Sequence, residues 1–182
     1  MSTIKYVGIG SRKTPEDIRR KMFMAGRAMA SLGFILRSGG AEGADESFES
    51  GVDDYAATHD ADANTLKEIY LPWKGFRKNQ SELWGSDKPA RLMAKRYHSN
   101  WSILSCAGHD YHARYCYQVL GRDLQTPASF ILCWTPEGAI TGDTGQALRM
   151  AQDHGIPILN FATDEDDYIS DFIFDQAKKE QA

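Results

Sequence analysis

The chain has 182 residues, 42% of them hydrophobic and 25% charged, and a formal net charge of −4. That length and balance suit one globular domain (1–182) with a substantial core. They exclude a generally basic nucleic-acid-coating protein while leaving room for a local basic patch. No apolar run approaches the roughly 20 residues that span a bilayer, so no membrane partner is expected.

The opening MSTIKYVGIGS goes straight into a strand-like stretch, without a basic segment followed by an apolar one. Cys106, Cys116 and Cys133 form no CxxC pair and are odd in number. Both features lead us to expect reduced thiols in a cytoplasmic protein.

Residues 4–9, IKYVGI, read as a short buried strand. Thr14 as N-cap, Pro15 at the first helical position and Asp17 in a capping-box-like pattern then predict a helix. Its core stripe is Ile18, Met22, Ala25, Met29 and Leu32, and Gly33 ends it. FILR at 34–37 reads as strand two. A helix with Ala44, Phe48, Val52 and Tyr55 on one face follows the loop SGGAEGAD. Strand three is predicted over 65–72, stopped by Pro72. Helices are predicted from Lys88 or Pro89 and over about 110–120, and strand four over 129–134. A second Gly-rich turn, TPEGAITGDTG, leads into a helix, and strand five covers 156–161. A closing helix is expected to turn Tyr168, Phe172 and Ile173 inward.

Strands alternating with helices predict an α/β fold: a doubly wound, mainly parallel five-stranded Rossmann-like sheet with helices on both faces. Ligands of such sheets sit beyond the carboxyl ends of the strands, where the strand order reverses. The loops after strands one, two and four therefore belong on one rim.

Backbone N–H groups at glycine-rich helix starts suit anions, phosphate above all. The candidates for nucleotide or phosphate binding are Gly10, Ser11 and Arg12 after strand one, and Ser38, Gly39, Gly40, Ala41, Gly43 and Asp45 after strand two. Gly142, Thr144, Gly145 and Gln146 are the candidates from the facing loop. The competing reading is tight turns that pack helices onto the sheet. Glu42, Asp45, Glu46 and Asp143 complement helix dipoles, and Asp143 reads first as an N-cap. Asp45 or Asp143 would alternatively bond sugar hydroxyls, and phosphate with ribose together would suit a nucleotide.

Trp73, Phe76, Trp84, Tyr97 and Trp101 alternate with Lys74, Arg77, Lys78, Lys88, Arg91, Lys95 and Arg96. Aromatics interleaved with cations suit base stacking and phosphate contact. A solvated basic helix with its aromatics in the core explains 88–98 equally well. Lys74, Arg77 and Lys78 are the better nucleic-acid contacts, because their loop leaves strand three on the rim. His109 and His112 at i, i+3 lack a third ligand, so no metal is expected, and no cofactor is called for. Cys133 belongs to the core.

The stretches GIGSRKTP, LRSGGAEGADESFESG and GDTGQALRMAQDHGIPILNF resemble a Rossmann-like superfamily. It joins DNA-processing protein A (DprA/Smf) to the LOG lysine-decarboxylase-like nucleotide hydrolases, and SGGAxGxD is most similar to the DprA branch. The resemblance spans 4–51 and, more loosely, 128–161. The DprA side implies binding of single-stranded DNA through the rim without chemistry, and a homodimer, to which the aromatics of 73–117 would contribute. The LOG side implies hydrolysis of a nucleoside monophosphate at its N-glycosidic bond. Arg114 matches the arginine of those enzymes, whereas Arg149 stands where their catalytic glutamate belongs. Asp143 is then the substitute acid, with Asp45 and Glu137 behind it. The expected partner is a nucleotide or single-stranded nucleic acid.

Overall fold

The structure, a computed structural model, describes residues 3–181. Five parallel strands, β1 (Lys5–Gly10), β2 (Ile35–Ser38), β3 (Lys67–Ile69), β4 (Phe130–Trp134) and β5 (Ile158–Asn160), lie in the order β3-β2-β1-β4-β5. Between and after them run α1 (Glu16–Ser31), α2 (Ala44–Thr58), α3 (Ala63–Leu66), α4 (Lys88–Tyr97), α5 (Cys106–Leu120), α6 (Gly142–Asp153) and α7 (Asp166–Gln181).

The period of two along a strand divides the core into two layers. Val7 and Ile9 of β1 and Ile131 and Cys133 of β4 point to the face covered by α4, α5 and α6. Tyr6, Phe130 and Leu132 point to the other, against α1, α2 and α7. The central strands β1 and β4 are thus buried on both sides, which is why their sequence reads as short continuous apolar runs rather than alternation. No helix of the described residues is long and apolar enough to cross a membrane.

Several local expectations shift. Pro15, not Thr14, occupies the N-cap position of α1, with extended backbone and no side-chain cap. The Thr14 hydroxyl donates instead to the Ser11 carbonyl at 2.5 Å, closing the turn after β1. Leu32 is partly exposed, and Gly26 completes the inner stripe of α1. Strand three is cut to Lys67–Ile69 because Asp62 caps a single helical turn just before it. Leu71 leaves the sheet to pair with the 83–85 segment. In α7 the inner stripe is Ile169, Phe172, Ile173 and Ala177, and Tyr168 is 59% exposed. Of the large apolar side chains in 73–117, Trp73, Trp84, Leu92 and Ile103 are left in solvent.

Candidate ligand cleft at the β1–β4 switch point

The strand order reverses between β1 and β4, where the connections leave in opposite directions. A cleft of about 530 Å³ opens there. Ile9, Gly10, Ser11, Arg12 and Lys13 form one wall, and Ala41 and Asp45 flank it. Thr135, Pro136, Thr141, Gly142, Asp143 and Thr144 form the opposite wall, and Tyr111 and Tyr115 of α5 close one end. The walls meet at the Ser11 N–H, which donates to the Trp134 carbonyl at 3.1 Å.

The start of α6 presents its donors to this space. Its N-cap position is held by Thr141, with no side-chain cap. Asp143, expected as the cap, lies inside the first turn, 4.0 Å from Arg12 across the cleft. The first backbone bond of the helix runs from the Gly145 N–H to the Thr141 carbonyl, so the N–H groups before it have no partner within the helix. Gly145 itself faces the Ile140 backbone, where a Cβ would sit 2.8 Å from the carbonyl carbon.

The SGGA loop behaves differently. Its donors turn inward to carboxylates of its own helix. The Gly39 and Ala41 N–H groups donate to Asp45 at 3.1 and 3.3 Å, and the Gly40 N–H donates to Glu49 at 3.0 Å. The Ser38 hydroxyl also donates to Glu49, at 2.6 Å. Gly40 has φ +65°, and a Cβ there would meet Leu71 at 2.8 Å, so the residue faces the protein rather than the cleft. Gly43, with φ +88°, turns the chain into α2 beside Ser11 and Arg12. The glycines after β2 thus shape a turn that carboxylates satisfy from within. Glu49 carries no sequence signal beyond lying one helical turn after Asp45.

These carboxylates titrate abnormally. Burial pushes Asp45 up to about 6, against the Arg114 charge and the Ala41 and Gly39 amides that hold it down. Burial, followed by the Asp45 charge, pushes Glu49 up to about 7. A carboxyl with a raised folded-state pKa binds more protons folded than unfolded between the two values, so its contribution to stability falls as pH rises through that window. Glu49→Gln keeps an acceptor and removes the titration. In thermal or urea unfolding, the variant's stability relative to wild type is expected to rise between about pH 4.5 and 7, by on the order of 2 kcal/mol. A difference that stays flat with pH would refute this placement of the charge.

Arg114 stands in α5, 1% exposed. Its guanidinium donates to the Gly39 carbonyl and packs 4.1 Å from the Tyr111 ring centroid, 5.2 Å from Tyr115 and 5.4 Å from Phe76. It lies under the SGGA loop, outside the cleft lining. Arg149 binds the Tyr97 and Ile140 carbonyls, tying α6 to the end of α4.

Gln146 is fully buried, and both ends of its amide go to His112. Its Nε2 donates to the His112 carbonyl at 2.9 Å, and its Oε1 meets His112 Nδ1 at 2.9 Å. That orientation leaves His112 Nε2 facing Asp143 at 4.0 Å. Burial, and then His98 beside it, lower the His112 pKa. His109 bonds the Trp101 carbonyl. No group of three or more metal-ligating side chains forms among the described residues. Lys74, Arg77 and Lys78 are exposed, and Arg77 reaches Glu42 of the SGGA loop at 3.0 Å.

No protein-family model and no curated protein sequence matches the chain. A solved structure of DNA processing protein A from Helicobacter pylori, described for its single-stranded DNA binding mode, superposes with a TM-score of 0.51 at 14% identity. The chain has a DprA-like Rossmann fold. The superposition covers 86% of this chain and 64% of that one, so the chain spans about two thirds of its structural neighbour. The parallel sheet with helices on both faces is the shared element. Sequence reasoning placed the three rim loops. It left out Tyr111, Tyr115, Thr135 and Thr141, whose side chains carry no glycine-loop signature.

Proposed function

We propose that the cleft binds a nucleotide unit of single-stranded nucleic acid, with phosphate at the start of α6 beside Arg12 and Lys13, and a base toward Tyr111 and Tyr115. The observation that carries the reading is the set of helix-start N–H groups before Gly145, facing two cations across the cleft at the switch point. The fold likeness to a protein described for single-stranded DNA binding supports the ligand class. In this reading the SGGA loop shapes one flank and supplies Ala41 and Asp45, while its amides stay with Asp45 and Glu49.

The N-glycosidase reading has less support. Glycosidic cleavage builds positive charge on the sugar and calls for a carboxylate beside the anomeric carbon. Asp143 and Asp45 reach the cleft, whereas Arg114 is buried under the loop and Arg149 holds the α4–α6 junction. Incubation with a panel of nucleoside monophosphates, assayed for free base, separates turnover from binding.

Arg12→Glu combined with Lys13→Glu tests the cleft without touching the core, since both side chains are solvent-exposed. Oligothymidylate affinity, read by fluorescence anisotropy, is expected to fall at least about tenfold, with a shallower salt dependence. An unchanged affinity in the folded variant would sink the assignment.

A further inference from the structure

A second concavity, about 390 Å³, lies outside the cleft on the outer face of α4. Lys88, Arg91, Leu92 and Lys95 form one helical stripe along it, and Ser86 and Trp101 complete the lining. Arg91 is neutralised, with Nη2 donating to Asp110 at 2.6 Å and Nε to Ser86 Oγ at 2.8 Å. Lys88 and Lys95 make no ion pair among the described residues. Lys88 also opens the helix, where its charge opposes the dipole. Within a chain of net charge −4, α4 carries four cations and no acid. Leu92 is 55% exposed between the two lysines. The lysines are seven residues apart, about 10 Å along the axis.

Packed rings connect this surface to the cleft. Trp101 stacks on His109 at 4.3 Å and meets His98 edge-on at 6.1 Å. His98 packs on His112 at 4.2 Å, and His112 packs on Tyr111 at 5.5 Å. Tyr111 lines the cleft. An unbroken run of aromatic rings thus joins the two concavities.

We propose that the α4 face is a second subsite for single-stranded nucleic acid, holding the strand that continues out of the cleft. A base packs against Leu92 and Trp101, and backbone phosphates sit at Lys88 and Lys95. The proposal rests on the cleft reading above. Two free ammonium groups flanking an aromatic and an aliphatic side chain match the alternation of phosphate and base along a strand. An acidic peptide offers charge but no ring to lie on the indole.

The test uses the full chain and oligothymidylates of two lengths, about four and about sixteen nucleotides, the range a single-strand site covers. Lys88→Glu combined with Lys95→Glu is expected to weaken the long strand at least about tenfold and lower its salt slope by about 1.4, at about 0.7 per lost contact. Binding of the short strand in the cleft stays at the wild-type level. Trp101→Ala gives a similar loss for the long strand, and far-ultraviolet circular dichroism checks its fold. A double-lysine variant that binds both lengths like wild type overturns the subsite and leaves the cleft standing. A wild-type chain that binds neither length overturns both. If poly-glutamate binds wild type but not the double-lysine variant, while the long strand binds both alike, the face belongs to acidic peptides and the proposal falls.

Discussion

Arg114→Met is expected to destabilise the protein by about 3 kcal/mol, a drop in Tm of about 6–12 °C for a chain of this size. The loss has two parts. The Gly39 carbonyl loses its charged donor inside the protein, and Asp45, 4% exposed, loses the cation that restrains its pKa. An opposing effect exists, because Nε and Nη2 of Arg114 are buried without hydrogen-bond partners and methionine would end that cost. The rings of Tyr111, Tyr115 and Phe76 already offset it through their faces, so the destabilising side wins. Adding Asp45→Asn to Arg114→Met is expected to recover about 1 kcal/mol, since it removes the charge left uncompensated. A single variant that melts within about 2 °C of wild type would show that the loop does not depend on this cation.

Gly51→Ala is expected to cost about 2 kcal/mol net. A Cβ at Gly51 would fall on the Phe23 carbonyl oxygen of α1, and one at Gly26 would come within 2.5 Å of the Phe48 carbonyl oxygen of α2. The two helices cross with each glycine against the other's backbone. Backbone cannot rotate aside as a side chain can, so overpacking here costs about 3 kcal/mol, the upper end of the usual range. Alanine returns about 1 kcal/mol through helix propensity. Urea unfolding is expected to show a lower midpoint with an unchanged slope. A stabilised variant would mean that the helices separate freely and that propensity decides.

The apolar periodicity of α1 and α2 and the short buried runs of β1, β2 and β4 were readable because each obeys one local rule. The close crossing at Gly26 and Gly51 was not, because a glycine inside a helical pattern looks like a weak point until its neighbour is known. The site divides along the same line. Loops after parallel strands declare the rim, so Gly10, Arg12, Asp143 and Thr144 could be placed from sequence. Whether a loop's amides face outward depends on which way the carboxylates of the following helix point. Glu49 and Asp45 settle that for Gly39, Gly40 and Ala41. Gln146 looked like a ligand contact from its place after the glycine turn, and its amide is spent on His112, 34 residues away in sequence. Arg149 marks the limit of motif matching: the resemblance would set an acid there, and the side chain instead ties two helices together.

The walls of the cleft begin on adjacent strands. β1 and β4 run in register from Tyr6 beside Phe130 to Gly10 beside Trp134 and end level with each other. The floor is therefore one strand spacing wide, about 4.8 Å, and that width is set by ladder hydrogen bonds that no loop movement alters. Strands at that spacing are bonded to each other, so the floor is closed and a ligand rests on the strand ends rather than passing between them. For the ligand proposed above, this fixes the level of the nucleotide unit at the strand ends, whatever the loops do. Phosphate and base are then sorted along the rim, between the start of α6 and the Tyr111–Tyr115 end, by which residues stand there.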